Sequence, residues 1–574
     1  MVVASPLRGR SPAQRRLILV ASLAGLVVLL LTVLAVTGGP PAEQERAKRF
    51  VGELARGDYP AMYAELTDAA RRARSLEAFT EDHRRAAALA TAVRFIPGEV
   101  SKPSDGVVDV PMTVTTRIFG TLRATLRLPF AGEGDDARVD WSQHLVFPGL
   151  RRGERLKRTT RLPPRADILA RDGTPLAQGE DRGSPLGAVA TAISGSLDKA
   201  PGEQQQRLRE LGVPGDAKVG ISGLERIFDE ALIGRPGGVL RAGDRVIATT
   251  TPKAAKAVRT TIDPQVQRAA VETLGEQLGG VAVLRPPTGE ILALAGVAFS
   301  GLQPPGSTFK MITLAGALEA RIAGPNSTYP VQTEATIEGV EIENADGESC
   351  GGSLRLSFAH SCNSVFAPLG ARLGAERLVK TAEAFGFNAD PGIPGAATSV
   401  IPAAGEIGDA LAVGSSAIGQ GRVLASALQM GWVASTIASG GLRTQLTLRA
   451  DATTRRVRVL RPSTARTVRS YMESVVKVGT GGAAAISGVR VAGKTGTAEL
   501  KDTTTPECTP TQETECPPVQ ADDPTDTDAW FAAFAPARKP RVAVGVLLVQ
   551  NGQGGDTAAP VAKQVLLAGL KATG

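Results

Sequence analysis

Between Leu17 and Thr37 the chain carries no charged residue, and four arginines, Arg8, Arg10, Arg15 and Arg16, stand just before that run. About 20 apolar residues, rising ~1.5 Å each, are enough to cross a hydrocarbon core of ~30 Å. Basic residues beside such a segment stay cytoplasmic. The expectation is a cytoplasmic tail over 1–16, a single transmembrane anchor over 17–37, and everything beyond it outside the cell membrane. A cleaved signal peptide is the competing reading. Its apolar region usually runs to ~7–15 residues and ends in an A-x-A-type site; this run is longer, and no clear site of that kind follows.

At roughly 100–200 residues per domain, a chain of 574 residues holds about three. Apolar residues at 43% and charged residues at 21% are ordinary for folded protein and argue against wholesale disorder. The net charge of +8 is small for the length, and no Arg/Lys stripe is interleaved with aromatics, which argues against a nucleic-acid partner. With 3 His and 4 Cys, no His pair or Cys-x-x-Cys spacing suggests a metal site.

Residues 42–150 read as a small α+β domain. Phe50, Leu54, Met62 and Leu66 fall at helical spacing. Period two follows: Val108, Val110, Met112 and Val114 alternate with polar neighbours, as do Leu122, Ala124, Leu126 and Leu128. Helices followed by a curved antiparallel sheet suggest a cone. The basic stretch from Arg151 to Arg165 reads as a linker, and 165–255 as irregular, rich in Gly and Pro. From Thr260 strands and helices mix. Val281–Leu284 and Ile291–Ala295 flank Pro286-Pro287-Thr288-Gly289, a hairpin signal. Asp502 to Asp528 reads as an exposed acidic insertion.

Three short segments carry chemistry. In Pro305-Gly306-Ser307-Thr308-Phe309-Lys310 the prolines and glycine stop the preceding chain, and Met311 to Ile322 reads as a helix. Ser307 then starts that helix, with Lys310 one turn on and within reach of its hydroxyl. A serine hydroxyl needs a base, and a lysine serves only if burial or cationic neighbours lower its pKa. The positive helix end also favours an oxyanion. Ser361-Cys362-Asn363 offers a second hydroxyl to relay a proton and an amide to orient a substrate amide. Gly493-Lys494-Thr495-Gly496-Thr497 reads as a strand whose edge can pair with an extended peptide. Lys494 adds a second cation, which helps keep Lys310 neutral and draws a carboxylate. Each segment alone is common; the three in this order are not.

Ser-x-x-Lys, Ser-x-Asn and Lys-Thr-Gly in this order resemble the motif set of penicillin-binding proteins and serine β-lactamases. The likeness extends to Thr260–Gln267, Thr288–Ala293, Gly419-Gln420-Gly421 with Leu428-Gln429-Met430, Ala529-Trp530-Phe531 and Pro560–Lys563. Gly223-Leu224-Glu225 and Arg165–Leu169 resemble the non-catalytic region of class B, the monofunctional transpeptidases, although Ala166 stands where that family usually has Gly. Residues 42–150, ending in Trp141-Ser142 and Phe147–Leu150, resemble the nuclear transport factor-like domain of methicillin-resistance-type class B proteins.

The resemblance implies a multidomain α+β protein. A nuclear transport factor-like domain would span 42–150, a pedestal (dimerisation-type) domain 155–255, and a penicillin-binding, β-lactamase-like transpeptidase domain 260–574. No glycosyltransferase domain precedes the transpeptidase, so glycan polymerisation is not implied. The implied activity is peptidoglycan D,D-transpeptidation through a serine acyl-enzyme, with covalent binding of β-lactams.

Ser307 would be the nucleophile, Lys310 its base and Ser361 the proton relay, with Asn363 holding the substrate amide. Lys494 and Thr495 would hold the terminal carboxylate. Gly496 permits close approach, and the N–H groups of Ser307 and Thr497 would form the oxyanion hole. No cofactor or metal is implied. Partners would be stem peptides, β-lactams, a membrane glycan polymerase and the cell-wall or division machinery.

A serine β-lactamase or a non-catalytic β-lactam sensor or scaffold are the alternatives. Glu376, Glu383 and Glu406 lie in stretches without a deacylation motif, which disfavours the β-lactamase. His360 reads as packing rather than as a base.

Outside the membrane thiols oxidise. Sequential pairing, Cys350 with Cys362 and Cys508 with Cys516, is one of three connectivities and the one expected, with cross-pairing or free thiols as alternatives.

Overall fold

The computed structural model describes residues 41–500 and 527–574. The Leu17–Thr37 run, Cys508, Cys516 and nearly all of the acidic insertion lie outside the described residues. Among the described residues no helix is long and apolar enough to cross a membrane. Contacts divide the chain into two compact units, and 155–255 contributes to both.

The first unit comprises the described residues to Pro163 with Pro201–Gly215 and Arg235–Lys253. Helix Ala42–Arg56 has Glu43 and Glu45 in its first turn and Arg56 in its last, matching the helix dipole. It stops at Gly57, whose φ of +72° lets its N–H return to the Glu53 and Leu54 carbonyls. Asp58, Thr67 and Ser75 cap the next three helices, Tyr59–Ala64, Asp68–Ala73 and Leu76–Ala90. Phe50, Leu54, Met62 and Leu66 are all buried, as the helical spacing required.

A four-stranded antiparallel sheet follows in chain order, Ala92–Pro97, Val107–Thr116, Thr121–Ala131 and Arg138–Val139. Val108 faces Leu128, Val110 faces Leu126, Met112 faces Ala124 and Val114 faces Leu122, so the two period-two patterns share one face.

The linker reading of 151–165 is corrected in part. Leu156–Arg161 is a strand paired with Gly237–Ala242, which pairs in turn with Arg245–Thr250. Leu156, Arg158 and Thr160 are half-buried and alternate with exposed neighbours, so basic composition had concealed a period of two. The Arg158 guanidinium donates to the Ala88 carbonyl at 3.0 Å, at the C-terminal end of the Leu76–Ala90 helix, where a cation is favoured.

In the second unit the two segments flagged upstream meet. Glu225 is buried and receives Arg165 at 2.7 Å and Arg182 at 2.6 Å, while Arg165 also reaches Asp229 at 2.9 Å. Strand Ile168–Leu169 pairs in parallel with Val258–Arg259, which delivers the chain to Thr260. Thr261 donates to the Ile291 carbonyl at 2.6 Å, and Asp263 caps helix Pro264–Leu274. The Gln267 amide bonds both the N–H and the carbonyl of Leu294, fixing that helix to the next hairpin.

That hairpin, Gly279–Arg285 and Glu290–Gly296, is half of the central sheet. The strand order is Glu290–Gly296, Gly279–Arg285, Val542–Leu548, Thr527–Ala535, Ala492–Glu499, with every pairing antiparallel. Val281, Val283, Phe531, Val544 and Val546 face helices Pro264–Leu274 and Ala559–Ala572. Ala282, Leu284, Trp530, Phe534 and Leu547 face a helical body that contains Lys310–Glu319, Asn363–Leu373 and Ala427–Ala438. Covered on both faces, these strands read as unbroken apolar runs. Asp528 is also corrected: it lies buried in strand Thr527–Ala535, where its carboxylate accepts the Gln550 N–H at 2.9 Å, and does not end an exposed loop.

Removing Glu225 would leave the largely buried Arg182 without its carboxylate and Arg165 with Asp229 alone. E225A should therefore lose about 3–5 kcal/mol in urea unfolding. A loss indistinguishable from that of an exposed Glu→Ala control would show that both arginines find water instead.

Candidate active site

Ser307 lies in a 3-10 turn, Gly306–Phe309, that leads directly into helix Lys310–Glu319. The turn needs glycine at 306: φ is +49°, and a Cβ there would stand 2.5 Å from the Thr497 carbonyl oxygen. The Gly306 N–H donates to the Gly419 carbonyl at 3.0 Å, so the Gly419-Gln420-Gly421 segment backs the turn. Thr308, Phe309 and Lys310 are buried, whereas Ser307 is partly exposed.

Lys310 is fully buried. Its Nζ donates to the Ser361 carbonyl at 2.5 Å and to Asn363 Oδ1 at 2.6 Å, and lies 3.3 Å from Ser361 Oγ. Lys494, also fully buried, donates to Ser361 Oγ at 2.8 Å and to the Thr495 carbonyl at 3.1 Å. The two lysines therefore meet on one hydroxyl. Among the described residues the hydrogen bonds of the Lys310 ammonium go to the second motif, and none joins it to Ser307.

Burial, and then the charge of Lys494, push the Lys310 pKa well below its ordinary value. Burial brings Lys494 down to about 7. A hydroxyl can accept from one lysine and donate to the other only if the second is a neutral amine. With one lysine charged and the other neutral, such an arrangement can pass a proton through Ser361.

The second motif is held by its neighbours. Ser361 takes the left-handed conformation, φ +64°. Asn363 Nδ2 donates to the Glu343 carbonyl at 2.8 Å. Cys362 is joined to Cys350 by a disulfide with Cα atoms 5.9 Å apart, in the usual range. His360 is engaged by Glu348 at 2.9 Å and is partly exposed.

The third motif lies on Ala492–Glu499, the edge strand of the central sheet. At Gly496 a Cβ would come within 2.8 Å of the Pro305 carbonyl oxygen, so that glycine lets the strand close on the Ser307 turn. Thr495 Oγ1 lies 2.6 Å from Thr480 Oγ1. Thr480 and Asn344, which accepts the Ser364 N–H at 2.9 Å, were not singled out by sequence. The glycines around Thr480, just ahead of the strand, were the one available signal. Among the described residues no group of three His, Cys, Asp or Glu side chains is disposed to hold a metal ion.

The Lys494 shift has a sign that can be tested. Its folded pKa of about 7 lies below the ordinary lysine value of 10.5, so unfolding takes up a proton between those limits. Stability should rise with pH across that window, and K494M should flatten the rise. Lysine side-chain NMR should show Lys494 titrating near 7; a value near 10 would mean that water reaches the ammonium.

Residues 279–567 match the penicillin-binding protein transpeptidase domain, and residues 42–154 match the NTF2-like N-terminal transpeptidase domain. The peptidoglycan D,D-transpeptidase PbpA of Mycolicibacterium smegmatis is 33% identical over 379 residues, which is 55% of this chain and 72% of that protein. The crystal structure of PBPA from Mycobacterium tuberculosis is 28% identical with a TM-score of 0.55, covering 71% of this chain and 99% of that one. The penicillin G acyl-enzyme complex of penicillin-binding protein A from M. tuberculosis gives 28% and 0.54 over 71% and 99%. With its motifs gathered on that fold and the transpeptidase model covering half its length, the chain belongs to the class B penicillin-binding proteins and carries an NTF2-like domain ahead of the transpeptidase.

Proposed function

We propose that this protein is a peptidoglycan D,D-transpeptidase that cross-links stem peptides through an acyl-enzyme on Ser307 and binds β-lactams covalently at the same residue. The observation that carries this reading is the convergence of two buried lysines on Ser361, beside a partly exposed serine and a strand edge. Ser307 Oγ attacks the carbonyl of the penultimate D-Ala while its proton passes to neutral Lys310. The N–H groups of Ser307 and Thr497 receive the oxyanion. Ser361 hands a proton to the departing amine as the C–N bond breaks and D-Ala leaves, and Asn363 holds the substrate amide. An amine of a second stem peptide then takes the acyl group and releases Ser307.

Substrate binding supports that protonation pattern. A terminal carboxylate beside Lys494 and Thr495 favours the ammonium form of Lys494, whose own pKa of about 7 leaves it poised. A charged Lys494 lowers the affinity of Lys310 for a proton, because like charges in a buried site oppose one another. The carboxylate thus helps prepare the base.

Leu17–Thr37 is proposed as a retained single-pass anchor that places the catalytic domain outside the membrane, near a glycan polymerase and the division or cell-wall machinery. Fractionation should find full-length protein in the membrane; a soluble product beginning near residue 38 would rule the anchor out.

Intact-mass spectrometry with benzylpenicillin tests the chemistry. Wild type should form a stoichiometric adduct that maps to Ser307 and persists for many minutes, and S307A should form none. K310A should acylate ~10²–10⁴-fold more slowly, the usual cost of losing a general base. An adduct on Ser361 would overturn the nucleophile assignment. Catalytic consumption of penicillin would favour a β-lactamase.

A further inference from the structure

Among the described residues, the hydrogen bonds and the disulfide that reach residues 361–364 from outside their own helices and the two lysines all come from one arm of the chain. Strands Thr328–Gln332 and Cys350–Ser353 form its base, and the hairpin Glu334–Ile337 with Val340–Glu343 extends from it. Three links run from this arm to residues 362–364. Cys350 is disulfide-bonded to Cys362, the Glu343 carbonyl accepts from Asn363 Nδ2 at 2.8 Å, and Asn344 Oδ1 accepts from the Ser364 N–H at 2.9 Å. Asn344 is itself buried and anchored within the arm, its Nδ2 donating to the Gln332 carbonyl at 2.9 Å and the Glu348 carbonyl at 2.8 Å.

The residue these links flank is the costly one. Ser361 sits at φ +64°, a conformation that a residue with a Cβ keeps only where its surroundings over-determine it. Cys362, the middle residue of the motif, is fully buried and stands at the N-cap position of helix Asn363–Leu373. Its sulfur makes the covalent cross-link between motif and arm; the other two links are single hydrogen bonds.

We propose that residues 328–353 are a positioning element for the second motif, and that the Cys350–Cys362 disulfide holds Ser361 and Asn363 in the geometry that acylation of Ser307 requires; this rests on the function proposed above. Cys350, Cys362 and Asn344 act through Ser361 and Asn363 and touch no reacting atom. Opening the disulfide leaves the nucleophile and both lysines in place but loosens the hydroxyl on which the lysines meet. A misplacement of about 1 Å in such a site can cost ~10²-fold.

The test uses the full-length protein and benzylpenicillin, with saturation kinetics separating the acylation rate constant from the dissociation constant of the initial complex. Dithiothreitol supplies two electrons and two protons, giving two thiols and its own cyclic disulfide; alkylation and peptide mass confirm opening at Cys350 and Cys362. The acylation rate constant should fall by about 10- to 10²-fold, the dissociation constant should stay unchanged, and reoxidation should restore the rate. C350S/C362S should be slow with or without reductant, while C508S/C516S should keep the full reductant response. N344A should slow acylation, and N344D, which keeps an acceptor for the Ser364 N–H, should recover part of the loss. Unchanged acylation after confirmed opening would overturn the proposal, as would a loss accompanied by disappearance of the near-ultraviolet circular dichroism. An oxidised wild type that forms no adduct on Ser307 would instead overturn the functional assignment and this inference with it.

Discussion

Two lysine side chains share one serine hydroxyl where neither ammonium has water, and much of the second unit serves to make that tolerable. An unpaired buried cation is among the costliest groups a fold can hold. Here each Nζ is met by oxygens, Lys310 by the Ser361 carbonyl and the Asn363 amide, Lys494 by Ser361 Oγ and the Thr495 carbonyl. Phe366 and Phe358 lie under the Nζ atoms of Lys310 and Lys494, with ring centroids 5.9 and 5.6 Å away. The aromatic faces add attraction without adding a proton acceptor. The remaining cost is relieved by giving up a proton, and a lysine without its proton is a base. Burial that weakens the fold creates the reactivity.

The rigid surroundings follow from the same need. The relay proposed through Ser361 needs three chain segments, starting near residues 307, 361 and 494, to keep their spacing. Glycine at 306 and 496 lets the serine turn and the edge strand approach to backbone contact. The central sheet, apolar on both faces, fixes the strand from behind.

How much of this could be read from sequence depended on whether the signal was local. The sheet of the first unit was legible because Val108, Val110, Met112 and Val114 repeat at the period of a strand, and their partners Leu122 to Leu128 do the same. The hairpin across Pro286–Gly289 was legible through its turn residues. Leu156–Arg161 was missed because Lys157, Arg158 and Arg161 made the stretch look like a solvated linker. That Lys310 bonds Ser361 is a contact across 51 residues, to which no local pattern speaks. Thr480 and Asn344 are common polar types in turns, and only the fold shows that their side chains are spent on the motifs.

The order of strands in the central sheet also bears on how the chain can fold as it is made. Gly279–Arg285 pairs on one side with its hairpin partner and on the other with Val542–Leu548, which emerges some 260 residues later. Thr527–Ala535, next to the motif strand, also waits for Val542–Leu548. Until that last strand arrives, the hairpin and the motif strand belong to two half-sheets, each with an open apolar edge that invites pairing with another chain. Such long-range closure is slow. The hairpin, complete at Gly296, keeps its edge open while about 250 further residues are made, so the window for aggregation closes only when residues 542–548 zip the halves together.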